Sequence, residues 1–282
     1  MTRYRWLAPL LCVALVHLPL RAQGVLVAPQ GVFIDHRTRS GSIELYNPGT
    51  EPAEVSISTI FGYPVTDSVG RMTLYTAASP DSGAPSAAAW ITAFPKRLTL
   101  APQQRQTVRL LARPPQGLAD GEYWTRLVVE AKGGRVPVTG EADSVGIHVG
   151  LALEVRTIIA LLYRKGGVRT GVEISGLRAG LVGDTLQVRA RLARTGNAAY
   201  VGQVHGALVD RGGREVAEFS VPTAVYYAVE PRYALGTGTL PPGRYTLKLS
   251  VSTTRDDVDS ATLLRSAAAS DSVEVTVPPR SP

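Results

Sequence analysis

The chain has 282 residues, which corresponds to about two domains at roughly 100–200 residues per domain. Hydrophobic residues make up 44% of the chain, which is enough to build cores and excludes wholesale disorder. Glycine (28) and proline (20) together make up about 17%, above an average of about 12%. Turn-forming residues this frequent favour many short strands and argue against a bundle of long helices.

Residues 1–22 have the pattern of a secretory signal peptide. A basic start, MTRYR, precedes the apolar run WLAPLLCVALVHLPL, and Ala22 lies at a plausible cleavage position. The run is short for a bilayer span, although an uncleaved N-terminal anchor is the alternative. Cys12, the single cysteine, lies in this run, so no disulfide and no cysteine-based metal site is expected in the mature chain. Cleavage would remove three of the 30 basic residues and no acidic one, so the net charge falls from +7 to +4.

The sequence after residue 24 alternates between short β-patterned runs and turn residues. Runs such as SIELYNP and QTVRLLAR carry β-branched or aromatic residues, and Pro, Gly, Asn and Asp separate them. The stretch Thr76–Ala89 has little hydrophobic bulk and predicts a flexible loop. This pattern of short strands and turns predicts an all-β protein, with two immunoglobulin-like β-sandwich domains at residues 23–164 and 165–282.

Two turn signals mark the second of these domains. Asp210–Gly213 has the composition of a hairpin turn. The segment Leu240–Tyr245 reads LPPGRY and precedes an alternating strand, as is common in immunoglobulin-like modules. Tyr245 is therefore predicted to be a packed corner tyrosine with a structural role.

The most informative run extends from Val145 to Tyr163. Aliphatic residues occupy every second position from 145 to 155, and a period of two places them on one face of an extended chain. At about 3.3 Å per residue the run would span roughly 60 Å, against about 17–20 Å for a typical strand. Two interpretations stay open: a core strand that continues into the second domain, or an edge strand whose aliphatic row is offered to a partner.

The first domain resembles the N-terminal domain of the periplasmic chaperones of pilus assembly, the chaperone–usher type. The resemblance extends from about Val25 to Arg164, and its most specific part is ITAFPKRLTLAPQQRQTVRLL. The second domain shows no clear match to the second domain of that family. Within the specific segment, the residues that fall on the family pattern are Pro95, Leu98, Pro102, Val108 and Arg109.

The resemblance implies a boomerang of two immunoglobulin-like domains in the periplasm, with the cell surface as the alternative location. Members of the family lend a β-strand to an incomplete pilus subunit, so the implied partners are a secreted or pilin-like subunit and an outer-membrane usher. Glu122 and Arg164 match two members of the family's inter-domain ionic cluster, although an exposed position at a strand start is the alternative for Glu122. The side chains implied to be lent are Leu151, Leu153 and Val155, with Val149 and Ile147 extending the row.

The sequence departs from the family where a subunit's C-terminal carboxylate is usually anchored. The family places an Arg in the first strand and a Lys near the end of the donor strand, and here these positions are Gly31 and Ala160. Arg156 is a possible substitute anchor, because it lies four residues before Ala160 and on the same strand face. Arg37 and Arg39 are further candidates.

Nothing in the sequence points to catalysis, a cofactor, a metal ion, nucleic acid or a small-molecule substrate. His36, His148 and His205 are widely separated and form no metal-binding motif. The run Arg255–Ser260 is rich in Asp but lacks the Gly and the distal Glu of a calcium loop. The predicted function is therefore that of a non-enzymatic, exported chaperone that donates a strand. The alternative is a structural or adhesive immunoglobulin-like module of the cell envelope.

Overall fold

The computed structural model describes residues 24–137, 150–238 and 240–279, and for residues 134–137 and 150–153 it describes the backbone alone. The predicted signal peptide therefore lies outside the described residues. Within the described ranges the chain forms β-strands, turns and irregular segments and no helix, which confirms the all-β prediction. Accordingly, the described residues include no helix with the length and apolar character needed to cross a membrane.

Ten strands build the first sandwich. One sheet has the order β1–β3–β8–β6, and the other has the order β2–β10–β9–β4–β5, with β7 paired to β4. The strands are β1 (Leu26–Ala28), β2 (Gly31–Asp35), β3 (Ser40–Tyr46), β4 (Ala53–Thr66), β5 (Met72–Ala77), β6 (Ile91–Phe94), β7 (Arg97–Leu100), β8 (Arg105–Ala112), β9 (Gly121–Pro137) and β10 (Gly150–Lys165).

The core of this sandwich comes from the alternation of its strands. On β8, for example, Val108, Leu110 and Ala112 are buried while the residues between them are exposed. Side chains from both sheets meet in one hydrophobic cluster, which includes Leu45 and Leu161 with no solvent exposure. Alternating strands of this kind bury one face each and leave the other to solvent.

Eight strands build the second sandwich, which has a separate hydrophobic core. One sheet has the order β11–β12–β15, with β16 also paired to β12, and the other has the order β14–β13–β17–β18. The two immunoglobulin-like sandwiches confirm the predicted fold class, whereas the exact domain bounds stay a prediction. The strands are β11 (Thr170–Val182), β12 (Thr185–Gly196), β13 (Tyr200–Val209), β14 (Glu215–Val225), β15 (Ala228–Val229), β16 (Arg232–Gly236), β17 (Gly243–Ser252) and β18 (Ala269–Val277).

Both turn signals of the second domain form the structures predicted for them. Asp210 accepts hydrogen bonds through Oδ1 from the backbone N–H groups of Gly212 and Arg214, which closes the turn between β13 and β14. Tyr245 is buried, and its hydroxyl donates to the carbonyl of Pro241 at 2.8 Å. This is the packed corner tyrosine expected from the sequence.

The segment Thr76–Ala89 is not the free loop that its composition predicts. Its second half packs along β9, where Trp124 N donates to Pro85 O at 2.7 Å and Ala87 N donates to Trp124 O at 2.9 Å. Ala87 has no solvent exposure. Because alanine is small, the backbone of this segment can approach the strand closely, and small residues indicate close packing here rather than flexibility.

Candidate functional site

The predicted donor row falls partly outside the described residues. Ile147 and Val149 precede β10 and are not described. For Leu151 and Leu153 the backbone alone is described, and it belongs to β10, antiparallel to β9. Val155 is the first member of the row with a described side chain, and it is half-buried. The described backbone of the row therefore lies in the N-terminal part of β10.

The face of β10 that carries Val155 continues into the hydrophobic core. Ile159 and Leu161 lie at the same parity on the strand, and both are buried in the first core. At the opposite parity, Glu154 and Arg156 are exposed. This face of β10 is therefore buried in the core at Ile159 and Leu161 and only half-buried at Val155.

Among the described residues, β10 has strand partners on both sides only near its C-terminal end. β2 runs parallel to it over Ala160–Arg164, with Ala160 opposite Gly31. Over residues 150–159 the side of β10 that faces away from β9 has no strand partner in the described part of the chain. Such an edge offers rows of main-chain N–H and C=O groups to another strand. We refer to it as the open edge.

A buried ion pair lies at the opposite end of β10. Arg164 Nε donates to Glu122 Oε2 at 2.8 Å, across register partners of β9 and β10. The Glu122 side chain has no solvent exposure and that of Arg164 has 14%. Glu122 therefore does not occupy the exposed position that the sequence left open for it. Burying two charges is costly unless they are paired and their remaining hydrogen-bonding groups are satisfied.

Those remaining groups are satisfied from both sandwiches. Glu122 Oε1 accepts from Trp124 Nε1 at 3.0 Å and from the backbone N–H of Ala199, in the second sandwich, at 2.8 Å. Arg164 donates through Nη1 to the carbonyl of Thr262, and its guanidinium lies 4.5 Å from the ring centroid of Phe33. The pair is thus the centre of a network that joins the two sandwiches, which we call the inter-domain cluster.

Aromatic side chains pack around this cluster. Trp124 meets Tyr226 edge-to-face at 4.7 Å between ring centroids, and Tyr63 meets Tyr227 in the same manner at 4.9 Å. Burial raises the pKa of Tyr226, against the opposing effect of the nearby Arg126 charge. Sequence reasoning missed these contacts, because each pair joins residues that lie far apart in the chain. The one local signal was the adjacent pair Tyr226 and Tyr227, directly after β14.

The turn between β4 and β5 makes a second contact between the sandwiches. Arg232 N donates to Gly70 O at 2.8 Å, and Arg189 Nη2 donates to Val69 O at 3.2 Å. Glu230 N donates to Thr66 Oγ1 at 3.0 Å. The turn therefore docks against the second sandwich beside β16, apart from the inter-domain cluster.

The candidate carboxylate anchors do not converge on one point. Gly31 and Ala160 are direct strand neighbours, so the two uncharged positions lie side by side. Arg156 is exposed and forms an ion pair with Glu130 at 3.3 Å, about 13 Å along the strand from Ala160. Of the other candidates, Arg37 pairs with Asp35 in the turn after β2. Arg156 is therefore engaged in a surface pair, and its role as an anchor stays a prediction.

Few side chains of the described residues are arranged to hold a metal ion. His205, Glu215 and Glu218 place one potential ligand atom each within 4.8 Å of one another on β13 and β14. The Glu218 side chain is 67% exposed. Asp257, in the acidic run Arg255–Ser260, is taken up by an ion pair with Arg255. His36 hydrogen-bonds to the Tyr163 hydroxyl, and His148 lies outside the described residues.

In the described part of the chain, the fold and the site define an all-β protein of two joined sandwiches, with the open edge on β10. No family model and no curated protein matches the chain. A chain of the Salmonella enterica SafA pilin in complex with the SafB chaperone is similar in structure, with 16% identity, a TM-score of 0.42 and coverage of 89% of this chain and 97% of that one. The YadV chaperone has 14% identity, a TM-score of 0.44 and coverage of 90% and 99%. The E. coli chaperone DraB has 15% identity, a TM-score of 0.39 and coverage of 80% and 89%. These are distant similarities of fold, and they assign no residue a role.

Proposed function

We propose that this protein is an exported, non-enzymatic chaperone that binds and caps a secreted or pilin-like subunit by donating strand β10. It acts in the periplasm during assembly of a pilus or another surface structure, and an outer-membrane usher is a further expected partner. The observation that carries the proposal is the open edge of β10, beside an unbroken aliphatic alternation. The chaperone-like sequence of residues 25–164 supports the same function.

Strand addition uses both features of β10. Main-chain hydrogen bonds along the open edge would provide affinity, and alternate side chains would fill the groove of the partner. Ile159 and Leu161 occupy the core of the first sandwich, and half-buried Val155 lies at the same parity on β10. The alternation of the sequence predicts that Leu151 and Leu153 continue this row. A subunit that lacks a strand would complete its own core with this row and cover the open edge at the same time.

The base of β10 is fixed before any partner arrives. β2 covers it over Ala160–Arg164, and Arg164 is held by Glu122 and Thr262. A strand that is already extended and anchored loses less conformational entropy on binding than a free segment does. The inter-domain cluster therefore supports strand donation by pre-organising the donor.

One observation favours the alternative function, a structural or adhesive module of the cell envelope. Gly31 and Ala160 lie side by side where a chaperone of this type carries two cations. Without a cation near this point, a subunit terminus would gain no charge-assisted hydrogen bond there. A module of this kind would use the same two sandwiches without transferring a subunit.

The test is affinity capture of the tagged mature protein from the periplasm, with mass spectrometry of the proteins that accompany it. Leu153→Asp places a charge within the donor row and should abolish capture of a small secreted β-rich protein. Ile158→Asp is the matched control, because Ile158 lies on the same strand at the opposite parity and is 38% exposed. It should retain capture.

Circular dichroism of both purified variants separates loss of binding from loss of folding. A folded Leu153→Asp variant that no longer captures the partner supports strand donation. A Leu153→Asp variant that unfolds indicates that the row belongs to the core, since an uncompensated buried charge exceeds the usual stability margin. Capture that is insensitive to Leu153→Asp favours the envelope module.

A further inference from the structure

Four arginines lie together on one sheet of the second sandwich. Arg178 on β11 is the register partner of Arg189 on β12, and Arg189 is also the register partner of Arg232 on β16. Arg191 lies two residues further along β12, on the same side of the strand. Neighbouring strands are about 4.8 Å apart, so the three paired backbone positions span about 10 Å. We call the surface that these four residues form the arginine face.

The arginine face is the side of the sheet that points away from the core. On β12, Val188 is buried in the second core, so Arg189 and Arg191 on either side of it point outward. On β16, Tyr233 is buried in the same core and the preceding residue, Arg232, is exposed. The alternation along both strands therefore directs their arginines toward solvent.

A β-bulge adds Arg178 to this face. Between the register pairs of Ser175 and Arg178, β11 advances by three residues while β12 advances by two. Gly176 has the left-handed φ of +62° that such a bulge favours. Without the bulge, the register from Ser175 would place Arg178 opposite Val188, which faces the core. The bulge therefore places Arg178 directly opposite Arg189 and on the outer side of the sheet.

Negative charge compensates only part of the arginine face. Glu230 forms an ion pair with Arg178, and Arg189 donates to a backbone carbonyl of the turn between β4 and β5. Among the described residues, no other carboxylate lies within 4.0 Å of any of the four guanidinium groups, and the side chains of Arg191 and Arg232 make no hydrogen bond. Like charges directly opposite on neighbouring strands are destabilising, and Arg189 takes part in two such contacts. An anion bound here would relieve this repulsion.

The surroundings of the arginines are flat and contain no aromatic anchor. The next register row toward the β11–β12 turn is formed by Gly180, Gln187 and Ala234, so nothing bulky stands beside the arginines. Tyr233, the one aromatic residue of these three strands, lies in the core. The centre of a protein–protein interface is enriched in aromatic residues, and single-stranded nucleic acid stacks on them. A nucleic acid duplex is read by an element that enters a groove, which a flat sheet does not provide.

We propose that the arginine face binds an anionic phospholipid surface through the phosphate groups of the lipids. A guanidinium matches a phosphate with two parallel hydrogen bonds, and four arginines on one plane can contact several headgroups at once. Val182 lies on the same side of β11, at the end of the strand, and is 67% exposed. It would contact the headgroup region beside the arginines. This inference goes beyond strand donation and does not depend on it.

Co-sedimentation of the purified mature protein with lipid vesicles tests the proposal. We expect binding to vesicles of phosphatidylcholine mixed with phosphatidylglycerol and none to vesicles of phosphatidylcholine alone. Each arginine near an anionic membrane contributes about fivefold in affinity, so the double variant Arg191→Gln with Arg232→Gln should bind about 25-fold more weakly. Binding should also weaken as salt is raised, because the screening length falls to about 8 Å at physiological ionic strength.

A matched control separates this face from the net charge of the protein. Arg211 lies in the turn between β13 and β14, Arg244 lies on β17, and both are exposed and belong to the other sheet of the second sandwich. The double variant Arg211→Gln with Arg244→Gln loses the same charge and should retain most of the affinity. Circular dichroism checks that both double variants are folded. Equal losses of affinity in the two would overturn the proposal, since binding would then follow net charge alone.

A third variant keeps the test decisive if the double variant of the arginine face fails to fold. Glu230→Gln removes the carboxylate that pairs with Arg178, and an exposed pair contributes little to stability, so this variant should fold. It should bind mixed vesicles about fivefold more tightly, because the face gains one unit of net positive charge. Unchanged or weaker binding would contradict the proposal.

Two other polyanions complete the test. A DNA duplex and a polyglutamate peptide are titrated into the same variants and followed by fluorescence anisotropy. If either binds through Arg191 and Arg232 while mixed vesicles do not bind, the face recognises a different partner and the membrane proposal fails. Binding to mixed vesicles that is lost only in the arginine-face variant supports it. The vesicle experiment contains no subunit, so its outcome and that of the capture experiment are independent.

Discussion

The buried pair of Glu122 and Arg164 permits a sharp test of how the sandwiches are joined, because β9 and β10 also carry an exposed pair in the same cross-strand arrangement. That exposed pair is Lys132 and Glu154, at 3.6 Å, with side chains 64% and 52% exposed. Glu122→Gln keeps the side-chain shape but removes the charge that pairs with Arg164. Removing one partner of a buried pair costs about 3–5 kcal/mol, whereas an exposed pair contributes about 0–1 kcal/mol.

The geometry explains why the larger value applies to Glu122. Its two oxygens accept from Arg164 Nε, Trp124 Nε1 and the backbone N–H of Ala199, so both oxygens are engaged in this buried site. An amide provides one oxygen, and its NH₂ group would then face a donor and leave it without a partner. The loss is expected to weaken the contact between the sandwiches as well as the first sandwich itself.

Urea unfolding followed by tryptophan fluorescence measures the loss of stability, since Trp124 donates a hydrogen bond to Glu122. The free energy of unfolding falls by about 1–3 kcal/mol for each molar increase in urea. A loss of about 3 kcal/mol therefore lowers the urea midpoint of the first sandwich by about 1–3 M. Two separate cores permit two transitions, so the midpoints are compared transition by transition. The matched control is Glu154→Gln. A shift for Glu122→Gln no larger than that of the control would refute this account of the inter-domain cluster.

Two further predictions concern tyrosines of the second sandwich. Tyr245→Phe removes the hydrogen bond to Pro241 O and should cost about 0.5–1.5 kcal/mol in thermal unfolding; no loss would mean that the corner bond contributes nothing. Burial raises the pKa of Tyr200 to about 12 and raises that of Tyr233. The pKa of an unfolded tyrosine is about 10. The contribution of these protonated tyrosines to the free energy of unfolding is therefore complete below pH ~10, and it is lost as the pH rises through their folded pKa values. Circular dichroism should therefore show unfolding at alkaline pH, and the Tyr200→Phe variant should unfold at a higher pH than the unmodified protein. Ultraviolet absorbance follows the ionisation of the tyrosines in the same titration. Ionisation of Tyr200 near pH 10 while the fold is native would contradict this prediction.

The features that sequence could predict are those that depend on local periodicity. Strict alternation in β10 and the LPPGRY segment before Tyr245 both involve neighbouring residues, and the structure places them in a strand and a packed corner. The first β-patterned run was less simple. VLVAPQGVFID divides into β1 and β2, which belong to opposite sheets, because Pro29 lies between them and cannot donate to a ladder.

The features that sequence could not predict depend on where distant strands meet. Arg126 has the appearance of an ordinary strand arginine, and its burial follows from the second sandwich, which brings Tyr226 against it. The same holds for Glu122, whose partners include Ala199 and Arg164. The burial of these two charges cannot be predicted from the sign or spacing of charges along one strand, because it depends on how the two sandwiches pack together.

The arrangement along β10 connects the open edge and the inter-domain cluster. Toward its C-terminus, the strand first has no partner on its second side among the described residues, is then paired with β2 from Ala160, and lies in the buried ion pair at Arg164. A strand added along the open edge would have to stop where β2 begins, at Gly31, because that side of β10 is already occupied. This limit restricts the registers in which an added strand can pair with β10, and the register decides which side chains face the same side as the aliphatic row.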